Sequence, residues 1–414
     1  MSSDSESRRA HEGFGAFTHY GFRLYWASRL FATFAVNIVS VAVGWQVYDL
    51  TRNPLDLGFI GLVQFLPALL LVLVTGAVAD RFNRRLIMAI CLVGEAACAL
   101  ALLLFTLSGS ENVVVVFAIL AGFGVVRAFF GPASTSLAPN LVPVEHLANA
   151  IAWNSTSWQI ATIVGPVAGG LLYGFSAEAA YGTALAMMTI GALLIVLVPK
   201  PPQKTVPQKG DLSSLVAGFR YVYKEKVVLG AISLDLFAVL LGGATALLPI
   251  YARDILDVGP WGLGMLRAAP GVGAIAVASW LALHPIRDRA GILLFIYVTF
   301  FGLATIVFGL SSIVWLSIAA LVVMGATDMV SVYIRETLIQ LWTPDSVRGR
   351  VNAVNMVFVG ASNELGEFRA GISAHLFGAV TAVALGGIGT VAVAAIWAKY
   401  FPELRRARHL DGRT

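Results

Sequence analysis

Twelve long apolar runs divide the chain, at 24–48, 57–79, 86–107, 113–137, 152–175, 180–198, 227–251, 261–283, 291–310, 314–340, 350–378 and 380–399. Charged residues or Gly/Pro-rich turns close each one. An α-helix needs roughly 20 apolar residues to cross a hydrocarbon core, and the longer runs allow tilt. Apolar residues run on continuously instead of alternating with polar ones, which argues against the strands of a membrane barrel. The pattern predicts an all-α membrane protein of twelve transmembrane helices.

The charges between the runs set an orientation, because Lys and Arg favour the cytoplasmic side. With the N-terminus inside, the inner segments hold twenty basic residues: Arg8, Arg9, Arg81, Arg84, Arg85, Lys200, Lys204, Lys209, Arg220, Lys224, Lys226, Arg287, Arg289, Arg348, Arg350, Lys399, Arg405, Arg406, Arg408 and Arg413. The outer turns hold only Arg52 and Arg253, beside acids such as Asp49, Asp56, Asp254 and Asp257. Both termini are therefore expected in the cytoplasm. The longest connection, 199–226, opens on Pro199, Pro201 and Pro202 and is basic, as a semi-rigid linker would be. Its second part, with Leu212, Leu215, Phe219 and Val222 beside Arg220 and Lys224, suits a helix lying on the inner leaflet.

The two sides of this linker resemble each other. Pro143, Asn154, Gly165 and Gly170 recur as Pro344, Asn355, Gly366 and Gly371 at an offset of 201 residues, and Gly61 and Pro67 recur as Gly264 and Pro270 at 203. Duplication explains this better than chance, and parallel repeats are a common way for transporters to build two bundles around a central site. The expected layout is two pseudo-symmetric six-helix bundles, 24–198 and 227–400. A tail at 1–23, the linker 199–226 and a tail at 401–414 lie on the cytoplasmic side.

Composition adds exclusions. Only 12% of the residues are charged and 58% are hydrophobic, against roughly 25% charged in soluble domains. The net charge of +5 sits in membrane-flanking loops, so it marks topology and not a nucleic-acid partner. Residues 1–20 lack the apolar core and cleavage site of a secretory signal. Cys91 and Cys98 stand seven apart on one expected helix, about 10 Å along its axis, too far to bridge; they read as packing residues. No phosphate-binding loop of the form Gly-x-x-x-x-Gly-Lys-Ser/Thr occurs, so ATP-driven transport is not encoded. With no paired histidines, no nucleophile–base set and no catalytic residues visible, neither an enzyme nor a cofactor or metal site is expected.

Two motifs point to mechanism. After the second span stand Gly76, Asp80, Arg81, Arg84 and Arg85. This resembles the cytoplasmic loop signature of the major facilitator superfamily, with Asn83 where the family usually has Gly. Gly76 would allow close helix approach, and Asp80 would face the positive N-terminal end of a neighbouring helix, closing a cytoplasmic gate near Arg348–Arg350. On the fifth span, Ala161, Gly165, Pro166, Gly169 and Gly170 resemble the antiporter signature of exporters in this superfamily, with Ala161 replacing the first Gly. Small residues at this spacing bring helices together, and Pro166 removes a backbone hydrogen bond. The stretches 127–133, 141–143, 214–221 and 344–351 are similar to the enterobactin-exporter and macrolide-efflux branch.

Charges inside the membrane cost about 2.5–3.5 kcal/mol each on insertion scales, so each needs a partner or a purpose. They are Arg29, Glu95, Arg127, Asp235, Arg267, Asp328, Glu364, Glu367 and Arg369, with Arg335 and Glu336 nearer the cytoplasmic end. The resemblance implies that spans 1, 4, 7 and 10 line the cavity, which selects Arg127, Asp235 and Asp328, while Glu95 reads as structurally paired. Glu364 and Glu367 share one helix face and cannot both ionise cheaply in a low dielectric, as a proton-coupling site requires. The competing reading is an ion-pair lock with Arg267 or Arg335. Among the aromatics, Trp158 and Phe237 are the deepest candidates for a cavity wall. The expectation is a monomeric inner-membrane exporter of an amphipathic small molecule, driven by protons through alternating access. An importer of the same fold and a lipid-handling membrane protein are the alternatives.

Overall fold

The computed structural model describes residues 14–200, 212–286 and 288–407. Of the basic residues that set the orientation, Arg8, Arg9, Lys204, Lys209, Arg287, Arg408 and Arg413 lie outside the described residues, with residues 201–211 of the linker and parts of both tails. Every regular element among the described residues is a helix.

The first six are α1 (Tyr20–Thr51), α2 (Pro54–Arg81), α3 (Arg84–Leu107), α4 (Val113–Leu137), α5 (Val144–Phe175) and α6 (Ala177–Leu197). The linker contributes α7 (Leu212–Lys224). Then come α8 (Lys226–Gly242), α9 (Gly259–Leu283), α10 (Ala290–Leu310), α11 (Val314–Trp342), α12 (Asp345–Phe377), α13 (Ala379–Tyr400) and the short α14 (Pro402–Arg406). Each expected span coincides with a helix. The seventh breaks after Gly242, and the chain reaches Ile255 through short, differently wound turns. The repeat is visible in the caps: Pro143 and Pro344 each occupy the extended position just before a long helix, where a fixed φ costs nothing.

Among the described residues, eleven segments are long and apolar enough to cross a membrane by length and composition. The twelfth, α12, is long enough at 33 residues but carries Arg348, Arg350, Glu364, Glu367 and Arg369, too many charges to count as apolar.

By packing, the chain forms two compact units, Met1–Val43 with Val63–Gly210, and Gly44–Leu62 with Asp211–Thr414. In the first, Phe22, Tyr25, Met88, Leu92, Leu137 and Ile195 belong to one buried core. Tyr25 donates to the Ser134 carbonyl (3.0 Å) and Ser28 to the Gly191 carbonyl (2.7 Å). These hydroxyls fasten α1 to α4 and α6 without leaving a donor unpaired. In the second, Leu234, Leu294, Ile334 and Val393 share a core, and Thr390 donates to the Ala238 carbonyl at 2.9 Å. A Cβ at Gly273 or Gly325 would overlap the backbone of the facing helix, so α9 and α11 touch main chain to main chain there.

The linker helix α7 docks on α12. Gly218 sits against the Arg350 main chain, Phe219 meets Phe358 at 5.7 Å, and Val222 is buried with Ile339, Val351 and Val354. Val216 and Tyr223 remain exposed.

Candidate functional site

The loop motif after α2 is a fastening for helix ends. Asn83 N-caps α3, its side chain accepting from the Arg85 amide at 3.1 Å, which is why the turn works without the family's Gly. Arg84 donates to the carbonyls of Ala79 (3.1 Å) and Ser136 (2.9 Å), and Arg85 to that of Val198 (2.5 Å). These carbonyls lie at or just past the C-termini of α2, α4 and α6, where a cation is favoured by the helix dipole. Asp80 stands 3.8 Å from Arg84, and Arg81 is exposed. A Cβ at Gly76 would meet nothing within 4 Å.

Along α5, Ala161, Gly165, Pro166, Gly169 and Gly170 are all buried. A Cβ on Gly165 would lie 2.7 Å from Asn37 Cβ, and one on Gly169 would lie 3.0 Å from Ile38 Cα. The stripe thus seats α5 directly on α1, and the helix continues through Pro166 as one element.

The intramembrane charges fall into separate groups. Asp235 on α8 forms a buried ion pair with Arg335 on α11, which takes Arg335 away from its expected role as partner of Glu364 or Glu367. Those two converge on one point: a Cβ at Gly61 would lie 2.5 Å from Glu364 Oε2 and 3.1 Å from Glu367 Oε2. Arg267 on α9 reaches beside Gly44, its Nη2 3.3 Å from where a Cβ would sit, and its charge acts on Glu367. Gly44 and Gly61 belong to the same unit as the three charged residues. Arg369 points elsewhere and donates to the Gly243 carbonyl at 3.4 Å, just past the end of α8. Arg127 lies over the Phe123 ring at 5.9 Å and acts electrostatically on buried Glu95. Asp328, on α11, has no hydrogen-bond or ion-pair partner among the described residues.

At the end of α1, Arg253 pairs with Asp49 and Arg52 with Asp254 at 3.3 Å, while Tyr48 donates to Asp254. The two outer arginines and their neighbouring acids are therefore cross-paired.

One cavity, of about 620 Å³, lies wholly in the first unit, lined by Arg29, Thr135, Ala138, Pro139, Leu147, Ile151, Asn154, Ser155, Trp158 and Gln159. The named charge candidates do not line it. Trp158 does, whereas Phe237 packs on Trp397 at 5.1 Å. Asn154 was visible in the sequence only as a repeated residue, and Arg29 only as one intramembrane charge among many.

A family model described as transmembrane secretion effectors matches residues 11–411. The enterobactin exporter EntS of Citrobacter koseri is 25% identical over 407 residues, covering 94% of both chains. EntS of Escherichia coli O1:K1 is 25% identical over 405 residues, with the same coverage. Among solved structures, a bacterial homologue of the human lysosomal transporter Spinster, inward-facing and unoccupied, superposes with a TM-score of 0.72 at 16% identity, over 95% of this chain and 99% of that one. The nucleoside transporter NupG gives 0.70 at 13% identity, over 92% and 99%. At these identities the solved structures speak for the fold alone. Charged groups set among membrane helices, a cavity that Arg29 and Asn154 help to line and a match over nearly the full length agree: this chain belongs to the transmembrane secretion effector family of the major facilitator superfamily, and is a multi-pass membrane transporter.

Proposed function

We propose that the protein is a proton-coupled exporter of an amphipathic small molecule, set in the inner membrane with both termini in the cytoplasm and working by alternating access of its two halves. The observation that carries this is the convergence of Glu364 and Glu367 beside Gly61, with Arg267 acting on Glu367. Two carboxylates and one guanidinium leave one negative charge when all are ionised. In a low dielectric that excess is expensive, and taking up one proton discharges it. The lock and the coupling site are then the same cluster: Arg267 balances one carboxylate while the other exchanges a proton. Export is favoured by the small-residue seam on α5 and by the exporters among the relatives at 25% identity.

The test uses inverted vesicles holding the full chain, with 2-naphthoate and ethidium as anionic and cationic probes. An acidic interior should drive accumulation of at least one probe. Glu364→Gln or Glu367→Gln should abolish the gradient-driven part while leaving probe exchange at equal pH. Accumulation that ignores the gradient, or survives both amides, refutes proton coupling at this cluster. Gradient-driven loss from the vesicles would mark an importer.

A further inference from the structure

The repeat places Asn154 and Asn355 in equivalent positions, and it also pairs Thr135 with Glu336 at the same offset of 201 residues. In the second unit, buried Asn355 donates through Nδ2 to Glu336 Oε1 at 2.7 Å. The equivalent carboxylate is missing from the first unit. Thr135 turns its hydroxyl back to its own helix, onto the carbonyls of Gly131 (3.1 Å) and Pro132 (3.2 Å). Asn154 is only 7% exposed and lines the 620 Å³ cavity. Its Oδ1 is buried without a partner, as is that of Asn355, but its Nδ2, the donor that Asn355 gives to Glu336, makes no hydrogen bond among the described residues. Buried polar groups are nearly always paired, so an orphaned amide facing a cavity marks a place for a ligand.

The charge in this cavity is positive. Arg29 is its only charged lining residue among the described residues. Its guanidinium donates to the Tyr25 hydroxyl at 3.4 Å and has no carboxylate within ion-pair distance among the described residues. Beside it, Trp158, Ile151 and Leu147 supply apolar wall. We propose that this cavity binds an organic acid with a flat apolar body: Arg29 and Asn154 hold its carboxylate as Asn355 holds Glu336, and Trp158 faces its ring. One half of the molecule carries its own carboxylate at this position; the other takes it from the solute. A bidentate guanidinium contact suits such an anion, whereas a cationic drug would set like charge against Arg29.

This rests on the transporter reading above and deepens it by naming the solute's charge. Titration calorimetry on the purified full chain with 2-naphthoate, 2-naphthamide and 2-naphthylmethylamine tests it. Naphthoate should bind at least about tenfold more tightly than either relative, since charge-assisted hydrogen bonds carry that much. Arg29→Gln should weaken naphthoate roughly tenfold to a hundredfold and naphthamide by clearly less, because only the carboxylate loses a charge-assisted contact. Thr135→Glu installs the carboxylate that the second unit already has; it should fill the site from within, abolishing naphthoate binding with the melting temperature unchanged or raised. The proposal falls if naphthoate fails to bind at millimolar concentration, if the three probes bind alike, or if naphthoate binding survives both substitutions. Anion-selective binding without gradient-driven accumulation would sink the exporter reading and leave the site standing. Accumulation without anion preference would do the reverse.

Discussion

Removing one partner of the Asp235–Arg335 pair should destabilise the second unit more than any other single charge change there. The Arg335 side chain is 4% exposed and that of Asp235 is 10% exposed, so neither can turn to water when the other is lost. Breaking such a pair typically costs about 3–5 kcal/mol, because the remaining charge stays buried and uncompensated. At about 2–4 °C per kcal/mol for a unit of this size, Asp235→Asn should lower the melting temperature by about 6–20 °C. Arg335→Met should cost less than Asp235→Asn, since a stranded carboxylate can take up a proton and become neutral, whereas a stranded guanidinium stays charged. The double variant Asp235→Leu with Arg335→Met should recover to within about 1–2 kcal/mol of the native protein, because apolar replacements of buried pairs are often neutral. Size-exclusion profiles after a heating series, read as a double-mutant cycle, give the coupling directly. A loss under about 1 kcal/mol for Asp235→Asn, or a double variant no better than the singles, refutes the reasoning.

Gly61→Ala would push a methyl against Glu364 and Glu367; gradient-driven accumulation in inverted vesicles should fall at least about tenfold, although Ala in a helix is otherwise favoured by roughly 1 kcal/mol. Gly169→Val would meet the Ile38 main chain and should destabilise the first unit by about 1–3 kcal/mol, seen as a lower melting temperature. Arg85→Met removes the donor to the Val198 carbonyl and should cost about 1.5–3 kcal/mol, whereas Arg81→Met, at an exposed position, should change stability by less than about 0.5 kcal/mol; parallel heating series compare the two.

The helices were legible because lipid permits so few solutions: an unbroken apolar run of span length must be helical to satisfy its own backbone. The break after Gly242 was less so. Gly242, Gly243 and Pro249 announce a turn, but the hydropathy of 227–251 runs through it. The roles of Arg84 and Arg85 stayed hidden because their acceptors lie 52 and 113 residues away, and a basic pair beside a membrane reads equally well as a topology mark. Asn154 carried a usable signal. The repeat sets Thr135 against Glu336 beside the two Asn residues, which marks the first half as the incomplete one.

The charges of α12 also bear on how the chain is made. Glu364, Glu367 and Arg369 together would oppose insertion of an isolated helix by roughly 8–10 kcal/mol. The groups that relieve them, Arg267 and the Gly243 carbonyl, are both synthesised earlier. When α12 emerges from the ribosome, its hosts are already in the bilayer, so it enters as a guest of α8 and α9. Order of synthesis thus does for this helix what greasiness does for its eleven companions.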